Sequence, residues 1–163
     1  MPTEVVARLL REGGVYLAGE SVDCRITLTN SQTGEKPCRD TLAWCSVQLH
    51  CAEILNRHRV KSSGSGSAQT AGASTAFAPD RSENGRTVYA SKPSVLFCEL
   101  ELLPGESKSF VHSELLPEED TPPSYAGQAV RYVYKLTVGV QHVNAPVRLI
   151  QLPIRVLRIL TTA

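Results

Sequence analysis

The sequence has almost no excess of charge and no long apolar run. Its 163 residues include 17 Lys and Arg against 16 Asp and Glu, a formal net charge of +1. Such a balance gives no general attraction to nucleic acid or to an acidic membrane surface. No stretch of about 18 apolar residues occurs, so no membrane span is predicted. Glu4 and Arg8 interrupt the first apolar stretch, which therefore does not resemble a secretory signal peptide.

The sequence also lacks the motifs of common catalytic sites. It contains neither a G-x-x-x-x-G-K-[ST] nor a G-x-G-x-x-G phosphate loop, no G-x-S-x-G elbow and no H-E-x-x-H metal motif. The five cysteines form no C-x-x-C pair, which argues against a zinc site. Without export they are expected to stay reduced and to be buried as small hydrophobic residues. They are Cys24, Cys38, Cys45, Cys51 and Cys98.

Two Cys–His pairs are candidates for hydrolytic sites, which need a thiolate beside a base. His50 and Cys51 are neighbours in one predicted strand, so their side chains point to opposite faces. Cys98 and His112 flank the turn of a predicted hairpin, where the two side chains are able to meet. The usual burial of free cysteine favours a structural thiol there, so Cys98→Ser is expected to cost about 1–3 kcal/mol and to change no chemistry. The sequence predicts a protein without a catalytic site, a cofactor or a metal.

Period-two alternation of apolar and polar residues dominates the sequence instead. Ser21 to Thr29 places Val22, Cys24, Ile26 and Leu28 on one face, as in a half-buried antiparallel strand. The pattern predicts further strands over Glu4–Leu10, Thr41–Leu55, Ser94–Leu102, Ser107–Leu115, Val130–Val140 and Val147–Leu160.

Irregularities in these strands carry their own expectations. Thr41–Leu55 is expected to be buried on both sides for part of its length, and Ser94–Leu102 to point Cys98 inward. Gly139 suggests a bend. Pro153 implies a bulge or an unpaired edge position, because proline cannot donate to a ladder.

About seven or eight strands, with turn residues between them and almost no amphipathic helix, predict an all-β fold. We expect two antiparallel sheets packed as an immunoglobulin-like β-sandwich. Residues 1–163 suffice for one lobe with a core. A Ser/Gly-rich insertion at about 56–93 is expected to be flexible, with a short strand only at Arg86–Ala90. Pro117–Gly127 is expected to be an exposed crossing between strands.

Basic residues on predicted outer faces mark the candidate partner surface. Arg131 and Lys135 share one face of one strand, and Arg155 lies in another strand. An ordinary solvated sheet face explains such charges, since outer and edge strands often carry them. A protein-binding face with positive character is the alternative.

Two stretches resemble the arrestin-fold superfamily. One is Val15–Val22, an aromatic–x–x–Gly–acidic stretch that leads into an early strand. The other combines Leu115–Pro117, the proline–serine crossing Pro122–Gly127 and the tyrosine-bearing strand Val130–Val138, in the order found in arrestin-like N-terminal lobes. The resemblance implies that the predicted sandwich is arrestin-like.

Longer segments are similar to the smaller, arrestin-like subunit of the Ric–Rgp complex, a guanine-nucleotide exchange factor for the Golgi Rab-six GTPase. They are Leu42–Trp44, Gln48–Cys51, Leu96–Leu100, Leu103–Ser109 and Val130–Thr137. The resemblance implies a non-catalytic scaffold that binds the large subunit and helps to present the GTPase. It implies a cytoplasmic protein, peripheral on Golgi membranes, that supports retrograde vesicle traffic. Since only the family's N-terminal lobe is covered, we expect a fragment or a short isoform.

A free-standing arrestin-like adaptor for membrane-protein cargo tails is the alternative. Such a protein would capture a tail by strand addition at a sheet edge or through a basic face. Some adaptors of this class carry a P-P-x-Y motif, and residues 122–125 have that form, which makes Tyr125 a further candidate partner residue. The same residues also suit a crossing of the sandwich itself.

Overall fold

The computed structural model describes residues 3–34, 36–56 and 85–159. Within these ranges the chain forms ten β-strands and no helix. They are β1 Thr3–Leu9, β2 Val15–Leu17, β3 Ser21–Asn30, β4 Asp40–Leu55, β5 Gly85–Ala90, β6 Ser94–Leu102, β7 Ser107–Leu115, β8 Tyr125–Ala126, β9 Val130–His142 and β10 Arg148–Leu157. The all-β prediction is confirmed. The two unpredicted strands, β2 and β8, are too short for alternation to reveal them.

The strands form two sheets. The smaller has the order β1-β3-β7. In the larger, β4 lies between β9 on one side and β5 and β6, which share its other side. Beyond β9 come β8 and β10, and β2 closes that side as a parallel neighbour of β10. The larger sheet thus supplies the broad outer face on which the candidate surface lies.

The core lies between the sheets and follows from alternation. In β3 the even-numbered residues Val22 to Leu28 are fully buried. The facing residues of the larger sheet are also buried, and burying each large apolar side chain stabilises the fold by about 1.5–3 kcal/mol. They include Leu42, Cys45, Val47, Leu49, Cys51, Tyr134, Leu136, Val138, Ile154 and Val156.

The central strand β4 is buried on both of its faces. Every residue from Cys45 to Ala52 is buried, including the polar Ser46, Gln48 and His50. This confirms the expectation for Thr41–Leu55. It also explains why β4 has a nearly continuous apolar run, since a strand covered on both faces does not alternate.

Asn30, at the end of β3, ties the two sheets together. Its fully buried side-chain Nδ2 donates to the carbonyl oxygens of Leu102 (3.1 Å) and Cys38 (3.2 Å). Its own carbonyl accepts from the N–H of Gly105 at 2.7 Å. The Asn30 side chain therefore satisfies the backbone carbonyls of Leu102, at the end of β6, and of Cys38, between β3 and β4. Buried polar groups require such hydrogen-bond partners.

Pro153 occupies an unpaired edge position. The N–H of Arg155 donates to the carbonyl of Gly14 at 2.9 Å, so the odd-numbered residues of β10 turn their backbone groups toward β2. Pro153 lies just before β2 joins, where that side of β10 has no strand among the described residues, and the β9–β10 register shows no shift. Of the two expectations, the edge position is confirmed and the bulge is not found.

Gly139 has a different role from the bend that was expected. The β4–β9 register runs without a shift from the pair Trp44–Gln141 to the pair Leu55–Val130. A Cβ at position 139 would lie 3.1 Å from Cζ3 of Trp44. The glycine therefore makes room for the indole ring.

The prediction that all five cysteines are buried is right for three of them. Cys24, Cys45 and Cys51 are buried, whereas Cys38 and Cys98 are exposed. Cys98 was wrongly placed inward because β6 does not alternate throughout. Its pairing with β4 shifts register between Cys45 and Ser46, and Glu99 has a positive φ of 54°. Both features change the direction in which the following side chains point, so an odd or even residue number no longer predicts whether the residue is buried.

The expectations for the two irregular segments have mixed outcomes. The short strand predicted at Arg86–Ala90 is β5, Gly85–Ala90, and residues 57–84 of the insertion lie outside the described residues. The crossing Pro117–Gly127 is irregular apart from β8 and is fixed to the sandwich. The hydroxyl of Tyr134 donates to the carbonyl of Pro122, and the N–H of Ser124 donates to the carbonyl of Val156.

Candidate partner-binding surface

The three predicted cations lie on the outer face of the larger sheet. Arg131 pairs with Ile54 of β4 and Ala126 of β8. Lys135 lies four residues further along β9, on the same face. Arg131 and Arg155 are exposed and Lys135 is half-buried. No ion pair joins any of the three to an acidic side chain in the described part of the chain. Their charges are therefore available to a partner.

Arg131, Arg155 and Tyr125 line one depression of about 260 Å³ where β8, β9 and β10 meet. Other lining residues come from the same strands, among them Tyr132, Val133 and Pro153. Lys135 is not in the lining, but it pairs with Pro153 at the edge of the depression. The fold thus brings together four residues that are up to 30 positions apart in the sequence.

Tyr125 is presented by a short strand that is anchored on both sides. β8 pairs with Arg131 and Tyr132, and the Ser124 hydroxyl accepts from the N–H of Val156 at 2.8 Å. The Tyr125 side chain is 55% exposed. A Cβ at position 127 would overlap the Tyr125 ring, so glycine is needed there for the ring to take this position.

Two parts of the surface were not identified from the sequence. A second depression, of about 520 Å³, lies beside the first and shares Arg131; it is lined by the end of β4 and by Gly127–Arg131. Exposed apolar side chains also border Arg155: Val15 and Leu17 on β2, and Leu157 on β10. These side chains lie beside the cations only because the three-residue strand β2 pairs with β10. The alternation of apolar and polar residues in the sequence does not predict that pairing.

A model of the Rgp1 family matches residues 61–162 of the chain. The chain belongs to the Rgp1 family. Human RAB6A-GEF complex partner protein 2 is 46% identical to it over 159 residues, and the protein of that name from Bos taurus is 45% identical. These matches cover 94% of this chain, which spans 40% of the length of either relative. The resemblance seen in the sequence is confirmed.

A solved structure is also similar to this Rgp1-family chain. It is Spo0M, a sporulation control protein from Bacillus subtilis, with a TM-score of 0.55 over 96% of this chain and 49% of Spo0M. The sequence identity is 15%, so the likeness concerns the fold alone. It supports the arrestin-like β-sandwich.

The Cys–His pairs do not form catalytic sites in this Rgp1-family chain. β6 pairs with β4 and β7 pairs with β3, so Cys98 and His112 lie in different sheets rather than across a hairpin. His112 Nε2 lies 2.9 Å from Glu114 Oε2 instead. Cys51 points into the core and His50 to the outer face, where its Nε2 lies 3.5 Å from the hydroxyl of Thr137, as predicted for neighbours in a strand.

Burial makes the core thiols poor nucleophiles. It raises the pKa of Cys24 and of Cys51 to about 11, and that of Cys45 to about 12. These thiols stay protonated at neutral pH, whereas the thiolate is the reactive form. No cluster of three metal-ligating side chains occurs in residues 3–34, 36–56 and 85–159, and no helix there is suited to span a membrane.

Proposed function

We propose that this chain is a lobe of a non-catalytic scaffold subunit in a Rab guanine-nucleotide exchange factor complex. The observation that carries the proposal is the 46% identity between this chain and a relative named as a RAB6A-GEF complex partner. The arrestin-like sandwich and the protonated core thiols agree with a binding role. Any exchange activity then belongs to the assembled complex, in which this subunit helps to present the GTPase.

The proposal includes the partners and the place of action. The large subunit of the complex and the Rab GTPase are the partners, and the complex is peripheral on Golgi membranes, where it supports retrograde vesicle traffic. Residues 1–163 act as one lobe, with the 56–93 region as an insertion. This lobe contacts the membrane only through the assembled complex.

The outer-face cations are the proposed contact with the large subunit. Arg131, Lys135 and Arg155 lack ion pairs with described acidic residues, and exposed apolar side chains adjoin Arg155. An apolar centre with charged surroundings is how protein interfaces are usually built, and complementary charge speeds encounter. The matching surface on the large subunit is expected to be acidic.

A pull-down between the 163-residue chain and the large subunit tests both the scaffold role and the assigned surface. We expect capture of the large subunit, and at least a tenfold loss of affinity when Arg131, Lys135 and Arg155 are all changed to Glu. Arg8→Glu is the matched control, since Arg8 is exposed on the smaller sheet. No capture by the wild-type chain would contradict the scaffold role; capture that survives the triple change would contradict only the assigned surface.

The cargo-adaptor alternative has one observation in its favour, the exposed ring of Tyr125 within Pro122-Pro123-Ser124-Tyr125. Against it, Ser124 makes two hydrogen bonds to Val156, which fix this segment on β10. We expect a WW domain to bind an isolated peptide of residues 120–128 more tightly than the folded chain. Equal affinity for both would favour the adaptor.

A further inference from the structure

One open sheet edge in the described part of the chain lacks most of the features that usually prevent strands from pairing between molecules. Natural edges are protected by charge, proline, bulges or short length. Here β10 carries Pro153, β6 carries a positive φ at Glu99, β1 exposes Glu4 and Arg8, and β5 has a register shift. The edges of β2 and β8 are only three and two residues long.

The edge of β7 has no proline, bulge or short length, and its two charged residues, Lys108 and Glu114, lie on its half-buried face, so that its exposed face carries no charge. It is nine residues long, contains no proline, and pairs with β3 without a register shift. No strand in the described part of the chain pairs with its other side. It is therefore a regular template for another strand.

The hydrogen bonds at both ends of β7 show which residues face the open side. The N–H of Asn30 donates to the carbonyl of Glu106, and the N–H of Leu116 donates to that of Glu20, both at 2.9 Å. Even-numbered residues of this strand therefore bond to β3, because bonding sides alternate along an antiparallel strand. Odd-numbered residues, with Val111 at the centre, direct N–H and C=O outward.

The side chains along this edge are complementary to themselves. In an antiparallel pair of two β7 strands centred on Val111, residues whose numbers sum to 222 face each other. Lys108 then faces Glu114 of the second copy, and Phe110 faces His112. Opposite charges and aromatic pairs at facing positions stabilise a sheet. By symmetry the Lys108–Glu114 pair occurs twice.

The outer face of the same pairing is apolar at its centre. Val111 is 57% exposed and meets its own copy on the two-fold axis, and Leu115, 66% exposed, lies opposite Ser107. Uncharged Ser109 and Ser113 face each other between them. No like charges are brought together on either face.

We propose that β7 is a homodimer edge, at which two copies of this chain join their smaller sheets into one continuous sheet. The occupant is a second copy because β7 itself supplies the acidic, basic and apolar residues that this edge requires at the facing positions. The inference does not rest on the proposed exchange-factor role, since it uses the smaller sheet and not the outer-face cations.

Sedimentation of the 163-residue chain over a range of concentrations up to about 1 mM tests this. We expect the mass to rise from 17.7 kDa toward twice that value. Val111→Pro removes only an outward N–H and should leave the bonds to β3 intact, yet raise the dimer dissociation constant at least tenfold. Val111→Lys should act similarly through charge. The matched control is Val95→Lys, at a valine on β6 that is 55% exposed.

A charge exchange distinguishes this register from other ways of pairing. Lys108→Glu alone and Glu114→Lys alone should each weaken the dimer about tenfold by placing like charges opposite each other. The double variant should restore it, because both facing pairs are again opposite in sign. Circular dichroism spectra establish that each variant is folded before its mass is interpreted.

Two results would overturn the proposal. One is a chain that stays monomeric over the whole range. The other is a dimer whose dissociation constant is unchanged by both Val111 variants or is not restored by the double charge exchange. If the complex with the large subunit is unaffected by every β7 substitution, the proposed function is not contradicted. The two hypotheses are therefore tested separately.

Discussion

Strands β3 and β6 are of nearly equal length, and each lies against the core, yet they expose their residues very differently. β3 alternates through all ten of its residues, and its inward positions are fully buried from Val22 to Leu28. β6 exposes both Cys98 and Glu99 in succession. β3 has continuous registers with both neighbours, whereas β6 has a single neighbour among the described strands and a register shift. The register shift and the positive φ of Glu99 thus account for the lost alternation of β6.

The largest expected difference between the two strands is in the cost of removing an apolar side chain. Ile26→Ala in β3 should lower the free energy of unfolding by about 2–5 kcal/mol, because it leaves a cavity in a fully buried site. Val95→Ala in β6 should cost less than about 0.5 kcal/mol, since Val95 is exposed. Urea unfolding of both variants measures this. Equal costs would mean that β6 packs more closely than its exposure indicates.

The next effect concerns the junction between the strands. Asn30→Ala should lower stability by about 1–3 kcal/mol, because it leaves the buried carbonyl of Leu102 at the end of β6 without its side-chain donor. Thr29→Ala is the control, with an expected cost below about 0.5 kcal/mol for an exposed hydroxyl pair. Thermal unfolding checks both. Equal melting temperatures would show that water replaces the asparagine amide.

A pH-dependent effect should appear under alkaline conditions. Cys24, Cys45 and Cys51 have pKa values raised to about 11–12 by burial, from an ordinary value of 9.0. Between these values the unfolded chain loses thiol protons that the folded chain keeps. The stabilisation from the protonated thiols is therefore complete below pH 9 and is lost as the pH rises toward 11.

Urea unfolding at pH 7.5, 9 and 10 measures this loss. Cys45→Ala is the control; it lowers stability at every pH but should flatten the slope, because one titrating group is gone. A wild-type slope of zero would contradict the buried, protonated thiols.

The sequence predicts the fold where the strands are long and regular. β3, β6 and β7 have the expected positions because alternation and turn residues mark them. Arg131, Lys135 and Arg155 are candidates because they lie in predicted strands, whereas Tyr125 is a candidate only through its P-P-x-Y motif. What they contact is not predictable in this way. Arg131 and Arg155 share a depression with Tyr125 only because the two-residue β8 docks beside β9. Such short pairings depend on tertiary contacts such as that of Ser124 with Val156.

The smallest expected effect corrects the sequence-based expectation for Cys98. That expectation was a cost of about 1–3 kcal/mol for Cys98→Ser, as for a buried thiol. Because the thiol is exposed, the change should cost less than about 0.5 kcal/mol. Cys24→Ser, at a fully buried position in β3, should have the larger cost instead. A thiol reagent in the absence of denaturant should label Cys38 and Cys98 quickly and the three core thiols only on unfolding. Fast labelling of Cys24 would show that β3 opens as readily as β6.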